Sequence, residues 1–295
     1  MIPFASLADK SMADKIATEI KKHGIFIEVS RLNDEYVLSV LKEEDIEQAT
    51  DIYRVMLGLP RKFEPSKEWT EIQAIPMGIT TKVVIAFCVL VYALDALKVL
   101  PGLYSVMKIS ANSNFELAEV RSGEVWRLIT PIFLHFGFMH ILFNMLWMKD
   151  LGKIIEKEKS SNFLLTFIVI IGALSNFAQF LVSGPNFGGM SGVVYGLLGY
   201  LWMYKRMNSA AAFSLPKSDV VLMVGWFFLC LLGVFSFSIA NMAHAAGLTL
   251  GMILGIFLGS RDSLEEVSLK QVTLFSILAC ALPLVTWTVE IIKAS

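Results

Sequence analysis

Ser191 stands in the run Gly188-Gly189-Met190-Ser191-Gly192-Val193-Val194-Tyr195-Gly196, and His244 in Ala243-His244-Ala245-Ala246-Gly247, each inside a long apolar stretch. A serine hydroxyl attacks a carbonyl only when a base accepts its proton, and a neutral imidazole is the side chain suited to that task. Polar and ionisable groups at membrane depth are costly, so both residues are functional candidates. The small residues around each let helix backbones approach closely. Together they point to a serine hydrolase working inside a lipid bilayer. His140 and Asn144, four apart in His140-Ile141-Leu142-Phe143-Asn144, project from one helical face, as do Ser191 and Tyr195. Each residue alone has a plainer reading. Ser191 caps a helix after a glycine loop, His140 and Asn144 are hydrogen-bonding glue between helices, and His244 is a packed neutral histidine. The plainer readings explain the joint pattern less well, because four costly groups fall near the same end of adjacent segments.

Those segments must position the chemistry. The chain of 295 residues is 55% hydrophobic and 17% charged, with a mean hydropathy of +0.63. Its apolar runs approach the ~20 residues needed to cross ~30 Å of hydrocarbon. They fall at about 80–100, 135–148, 163–182, 191–204, 219–239, 242–259 and 271–292. The second and fourth are short, as expected of helices facing a hydrated cavity rather than lipid. Lysine and arginine crowd the loops after the second segment (Lys149, Lys153, Lys157, Lys159), the fourth (Lys205, Arg206, Lys217) and the sixth (Arg261, Lys270). The loops after the third and fifth carry none, so the N-terminal region is expected to be cytoplasmic and the Ser191 end to face outward. A net charge of −1 points away from nucleic acid as a partner. Cys88, Cys230 and Cys280 lie in apolar runs without zinc spacing and read as buried thiols, with no metal site and no cofactor expected. No basic-then-apolar leader opens the chain.

Residues 1–62 read as a small α+β domain. Met12, Ile16 and Ile20 share a helical face that should stop at Gly24, after Lys21-Lys22-His23. Ile25–Val29 and Tyr36–Val40 read as strands around an Asn33-Asp34 turn. A strand near Ile2–Ala5 and a helix over Glu43–Leu57 complete a βαββα order. Residues 63–78, with Pro65 and Pro76, read as a linker, 79–260 as a six-helix core, and 261–295 as a loop with a seventh helix.

Glycines connect the two chemical residues. Gly247, Gly251, Gly255 and Gly259 repeat every four residues on the sixth segment, and Gly192, Gly196 and Gly199 line the fourth. Glycine is common in membrane helices anyway, but an unbroken repeat cuts a groove, and the fourth segment offers its match. Packing these faces would bring Ser191 and His244 to the same end of the contact.

Gly189-Met190-Ser191-Gly192, Ala243-His244-Ala245-Ala246-Gly247, His135-Phe136-Gly137-Phe138-Met139-His140-Ile141-Leu142-Phe143-Asn144 and the Trp126-Arg127 pair all resemble the rhomboid intramembrane serine proteases. Residues 1–62 more loosely resemble the cytoplasmic domain of the bacterial GlpG-type branch. The resemblance implies a polytopic α-helical membrane protein with a six-helix rhomboid core, here followed by a seventh helix. It implies Ser191 as nucleophile and His244 as general base. His140, Asn144 and the Ser191 backbone N–H would form the oxyanion hole, with Tyr195 and Gly189 in support. It further implies single-pass transmembrane proteins as substrates, cut near the outer face, and a multi-pass place in the bacterial inner membrane. No aspartate lies near the site to orient His244, so a dyad is expected. The chain departs from the family pattern at Leu146–Lys153, where relatives often carry an aromatic run ending in Gly-Gly, and at Gly196 and Ala245; the dyad is untouched. A transporter reading expects internal repeats and midplane charges, which are missing, and a zinc protease expects an HExxH helix, which is absent.

Overall fold

The computed structural model describes residues 1–60, 65–111, 116–234 and 239–294. It divides into two compact units, Met1–Pro65 and Ser66–Ser295.

In the first unit β1 (Ile2–Leu7), α1 (Lys10–Lys22), β2 (Ile27–Leu32), β3 (Glu35–Val40) and α2 (Ile46–Met56) follow in βαββα order. The antiparallel sheet runs β1-β3-β2. The Asp9 side chain accepts from the Ser11 N–H at 2.9 Å and starts α1, satisfying a donor that the first turn leaves free. Ala13, Ile16, Ala17 and Ile20 pack their face against Ile27, Leu38 and Val40. Helix α1 stops where expected, with Gly24 at φ +80° reversing the chain. Asn33, at φ +56°, makes the β2–β3 turn.

The second unit holds α3 (Lys67–Ala74), α4 (Ile79–Ala96), α5 (Leu103–Met107), α6 (Ala118–Arg121), α7 (Phe138–Glu158), α8 (Ser161–Ser183), α9 (Ser191–Met207), α10 (Lys217–Leu231), α11 (Asn241–Asp262) and α12 (Leu269–Ala294). Helices α4, α8, α11 and α12 are long and apolar enough to cross a membrane by length and composition. Helix α9 is shorter, at 17 residues, and is buried on nearly every side. Its surroundings are protein rather than lipid, so it need not match a bilayer's thickness.

Three expectations change. The stretch read as a linker contains α3, because Ser66 Oγ accepts from the Trp69 N–H at 3.2 Å and caps a helix there; residues 61–64 lie outside the described ones. The second segment does not end near 148. Helix α7 continues to Glu158, so Lys149, Lys153 and Lys157 lie on a helix instead of in a loop. Lys153, 2% exposed, is neutralised by Asp150 at 3.0 Å, and Asp150 also accepts from Gln73 Nε2 at 3.1 Å. That pairing offsets part of the cost of carrying charge inward. Third, Cys88 and Cys230 are buried but Cys280 is exposed on α12. An apolar run reports a dry surrounding, and lipid provides one as readily as a protein core does. Of the expected fifth segment, α10 covers the part up to Leu231, and 235–238 lie outside the described residues.

Two side chains tie the frame. The Glu156 carboxylate accepts from the N–H groups of Thr80 and Thr81 at 2.9 Å each, from the Thr81 hydroxyl, and from Ser161 Oγ at 2.6 Å. It thus caps α4 from α7, placing negative charge at the helix's positive end. Buried Arg127 donates Nη1 to the carbonyls of Ser105 and Lys108 at 2.7 and 2.9 Å and Nε to Glu124 at 2.6 Å. One guanidinium thereby satisfies carbonyls of the long loop before α7 that burial would otherwise leave unpaired.

Candidate active site

Helices α9 and α11 meet along the two glycine rows. A Cβ on Gly247 would strike the Gly192 carbonyl, one on Gly251 the Gly196 carbonyl, and one on Gly255 the Tyr200 carbonyl at 2.5 Å. From the other side, a Cβ on Gly199 would lie 2.5 Å from the Leu248 carbonyl. Backbone therefore touches backbone along this contact, which only missing side chains permit. Both helices begin at the same end of the contact, and there Ser191 Oγ and His244 Nε2 stand 2.8 Å apart.

Ser191 is the first residue of α9, and the first intrahelical bond closes only from the Val194 N–H to the Met190 carbonyl at 2.9 Å. The N–H groups of the first turn thus have no intrahelical acceptor and face the position beside the hydroxyl. His244 is buried, 6% exposed. Its ring lies 4.8 Å from that of Tyr195, tilted by 35°. The Tyr195 hydroxyl donates to the Met223 carbonyl at 3.0 Å, so the ring that backs the imidazole is fixed to α10. No described group bonds His244 Nδ1. For Nε2 to take the serine proton, that Nδ1 carries the ring's own hydrogen.

His140 comes from the start of α7. The Phe136 N–H donates to its Nδ1 at 3.3 Å, so in the neutral ring the proton sits on Nε2. That Nε2–H is directed at Gly189: a Cβ there would lie 2.6 Å from His140 Nε2 and 3.8 Å from Ser191 Oγ. Gly189 has φ +122°, so both its backbone conformation and the approach of His140 exclude a side chain. Asn144, one turn along α7, is buried, and its Nδ2 donates to the His140 carbonyl at 2.9 Å. A primary amide carries two N–H groups, so one hydrogen remains beyond that bond. Of the residues singled out from sequence, Ser191, His244, Tyr195, His140 and Gly189 are in one cluster, with Asn144 tied to it through the His140 carbonyl. His135 and His140 have ring centroids 5.0 Å apart, and His135 Nδ1 is 3.1 Å from the Phe133 carbonyl.

Sequence reading missed the polar residues of α8. Gln179 Oε1 accepts from the Ala243 N–H at 2.9 Å and so caps α11 next to His244 from a neighbouring helix. Asn176 Nδ2 donates to the Leu128 carbonyl at 2.9 Å, fastening the loop before α7. The signal was present: Ser175, Asn176 and Gln179 interrupt an otherwise apolar span at helical spacing, and such residues face the bundle interior.

Known proteins similar to this chain fall in one family. The Rhomboid domain family matches residues 122–261. The rhomboid protease GlpG of Salmonella newport (strain SL254) is 39% identical over 175 residues, 59% of this chain and 61% of that protein. Its counterpart in Yersinia pestis (strain Pestoides F) is 34% identical over 190 residues, 64% of this chain and 66% of that protein. The chain thus spans about three fifths of the length of the first of these relatives, 61%.

Proposed function

Since this chain belongs to the rhomboid family through its domain at residues 122–261, we propose that it is an intramembrane serine endopeptidase that cuts transmembrane segments of other membrane proteins. The observation that carries the reading is the 2.8 Å contact between Ser191 Oγ and His244 Nε2 at the shared end of α9 and α11.

In this mechanism His244 Nε2 takes the hydroxyl proton as Ser191 Oγ bonds to the scissile carbonyl carbon. The tetrahedral oxyanion is met by the N–H groups at the start of α9, by His140 Nε2–H and by the second hydrogen of Asn144 Nδ2. His244 then gives its proton to the leaving nitrogen as the C–N bond breaks, which leaves an acyl ester on Ser191. Water, deprotonated by the same imidazole, attacks the ester, and Ser191 leaves with the returned proton. Tyr195 and the Gln179 cap hold the imidazole in place of a carboxylate. The substrate segment must unwind locally, since a helical peptide bond is shielded by its own hydrogen bonds.

Active-site labelling tests this reading. A fluorophosphonate attaches to the purified protein at Ser191, the attachment is lost in Ser191→Ala, and the protein cleaves a reporter transmembrane substrate. Labelling elsewhere, or none, overturns it.

Oxyanion roles make a second expectation. Loss of one donor typically costs on the order of 100-fold in kcat. His140→Ala and Asn144→Ala each lower kcat on this scale yet retain measurable turnover, and Ser191 still labels, more slowly. Unchanged kinetics in both variants reassigns them to packing.

Loop charge supports a cytoplasmic N-terminal α+β domain, six core helices and α12 as a seventh span, and the similarity to rhomboid proteases supports a place in the bacterial inner membrane and single-pass substrates cut near the outer face. Arg206, Lys217, Arg261 and Lys270 stay on one side in this arrangement. A reporter active only in the cytoplasm gives signal when inserted in the 208–216 loop and none when fused to the C-terminus. A bright C-terminal fusion means that α12 does not cross.

A further inference from the structure

Helix α12 lies beyond the six-helix core and packs against α11, with two side-chain hydrogen bonds between them. Thr249 Oγ1 donates to the Ala279 carbonyl at 2.7 Å midway along the pair. At the end that carries the chemistry, Asn241 Nδ2 donates to Glu290 Oε1 at 2.9 Å. Asn241 is the first residue of α11, one turn ahead of His244, and is 4% exposed. Glu290 is an acidic residue in a helix otherwise apolar enough to span a membrane, a costly placement that needs a reason. Lys293 offsets part of that cost at 3.4 Å on the same helix.

We propose that Glu290 is a positioning residue for the Ser191–His244 reaction, acting through Asn241; this rests on the protease reading above. Helix α11 has an alanine, Ala240, at its N-cap and so no side-chain cap of its own. Its first turn is instead held from two neighbours: Gln179 of α8 accepts from the Ala243 backbone N–H, and Glu290 of α12 accepts from the Asn241 side-chain Nδ2. His244 is the next residue after this clamped turn. Its Nδ1 has no described partner, so the direction of the imidazole depends on the backbone that carries it and on the Tyr195 ring. A hydrogen bond to a charged acceptor is stronger than a neutral one, and its loss frees one side of the turn. Misplacement of reacting groups by ~1 Å costs on the order of 100-fold, and looser positioning by a fraction of that costs on the order of 10-fold.

The test uses the full-length protein in detergent with a transmembrane reporter substrate and a fluorophosphonate probe. Glu290→Ala lowers kcat and the rate of Ser191 labelling on the order of 10-fold, with KM unchanged. Glu290→Gln, whose amide oxygen still accepts from Asn241, restores most of the rate. Asn241→Ala shows the same loss as Glu290→Ala, and the double variant is no slower than either single one. Equal labelling rates in wild type and Glu290→Ala, losses in the two single variants that multiply in the double one, or a Glu290→Gln protein as slow as Glu290→Ala each overturn the proposal. A wild-type protein that does not label at Ser191 overturns the protease reading instead, so the two failures are told apart.

Discussion

Ser191→Ala or His244→Ala lowers cleavage of a transmembrane reporter by roughly 10⁴-fold or more, and removing both costs little beyond removing one. The reason is that in the proposed mechanism the two side chains act as one device. Without the base, the hydroxyl keeps its proton; without the hydroxyl, the imidazole has nothing to activate. The two sit 2.8 Å apart with no described partner on the far imidazole nitrogen. Neither change disturbs the glycine contact between α9 and α11, so expression, membrane insertion and thermal behaviour stay near wild type. Gel-based cleavage, checked against thermal aggregation of the same samples, reads both quantities. Ser191→Ala cutting at the wild-type rate would remove the proposed mechanism, and non-additive losses from the pair are its specific signature.

Gly251→Leu produces the other large effect, and it does so without touching a reacting atom. A Cβ at Gly251 already collides with the Gly196 carbonyl, and three further carbons have no place to go. Backbone cannot yield as a flexible side chain does, so the helices must part, and overpacking of this kind costs about 1–3 kcal/mol or more. The separation falls between the elements that deliver Ser191 and His244, and ~1 Å at the reacting groups costs on the order of 100-fold. Both the aggregation temperature and kcat fall. Gly225→Leu is the matching control: Gly225 lies on α10 in the same unit, and nothing stands within 4 Å of its would-be Cβ. It retains stability and turnover. Equal behaviour of the two variants would show that the seam is slack and that the glycine contact does not set the dyad's geometry.

The candidate site was legible in the sequence because its signals are local. A serine after glycines at a helix start, a histidine among small residues and an i, i+4 His140–Asn144 pair each announce themselves by what apolar runs ordinarily exclude. The glycine rows were legible for the same reason, since glycines every three or four residues on two helices leave few other uses. In the first unit, hydrophobic period and the Gly24 and Asn33 turns sufficed for the βαββα order, because strands and helices there face water on one side and alternate accordingly.

What the tertiary structure alone decided are partnerships across helices. Local pattern could not tell that Glu156 would cap α4, that Gln179 would cap α11, or that Glu290 would reach Asn241, since each joins residues far apart in the chain. Nor could it tell where α7 ends: the lysines that look like a loop in sequence are a continuing helix once Asp150 neutralises Lys153. Likewise an apolar run does not say whether its neighbour is protein or lipid, which is why Cys88 is buried and Cys280 is not. Sequence records the cost of a polar group in an apolar setting; only the folded chain supplies the partner that offsets it.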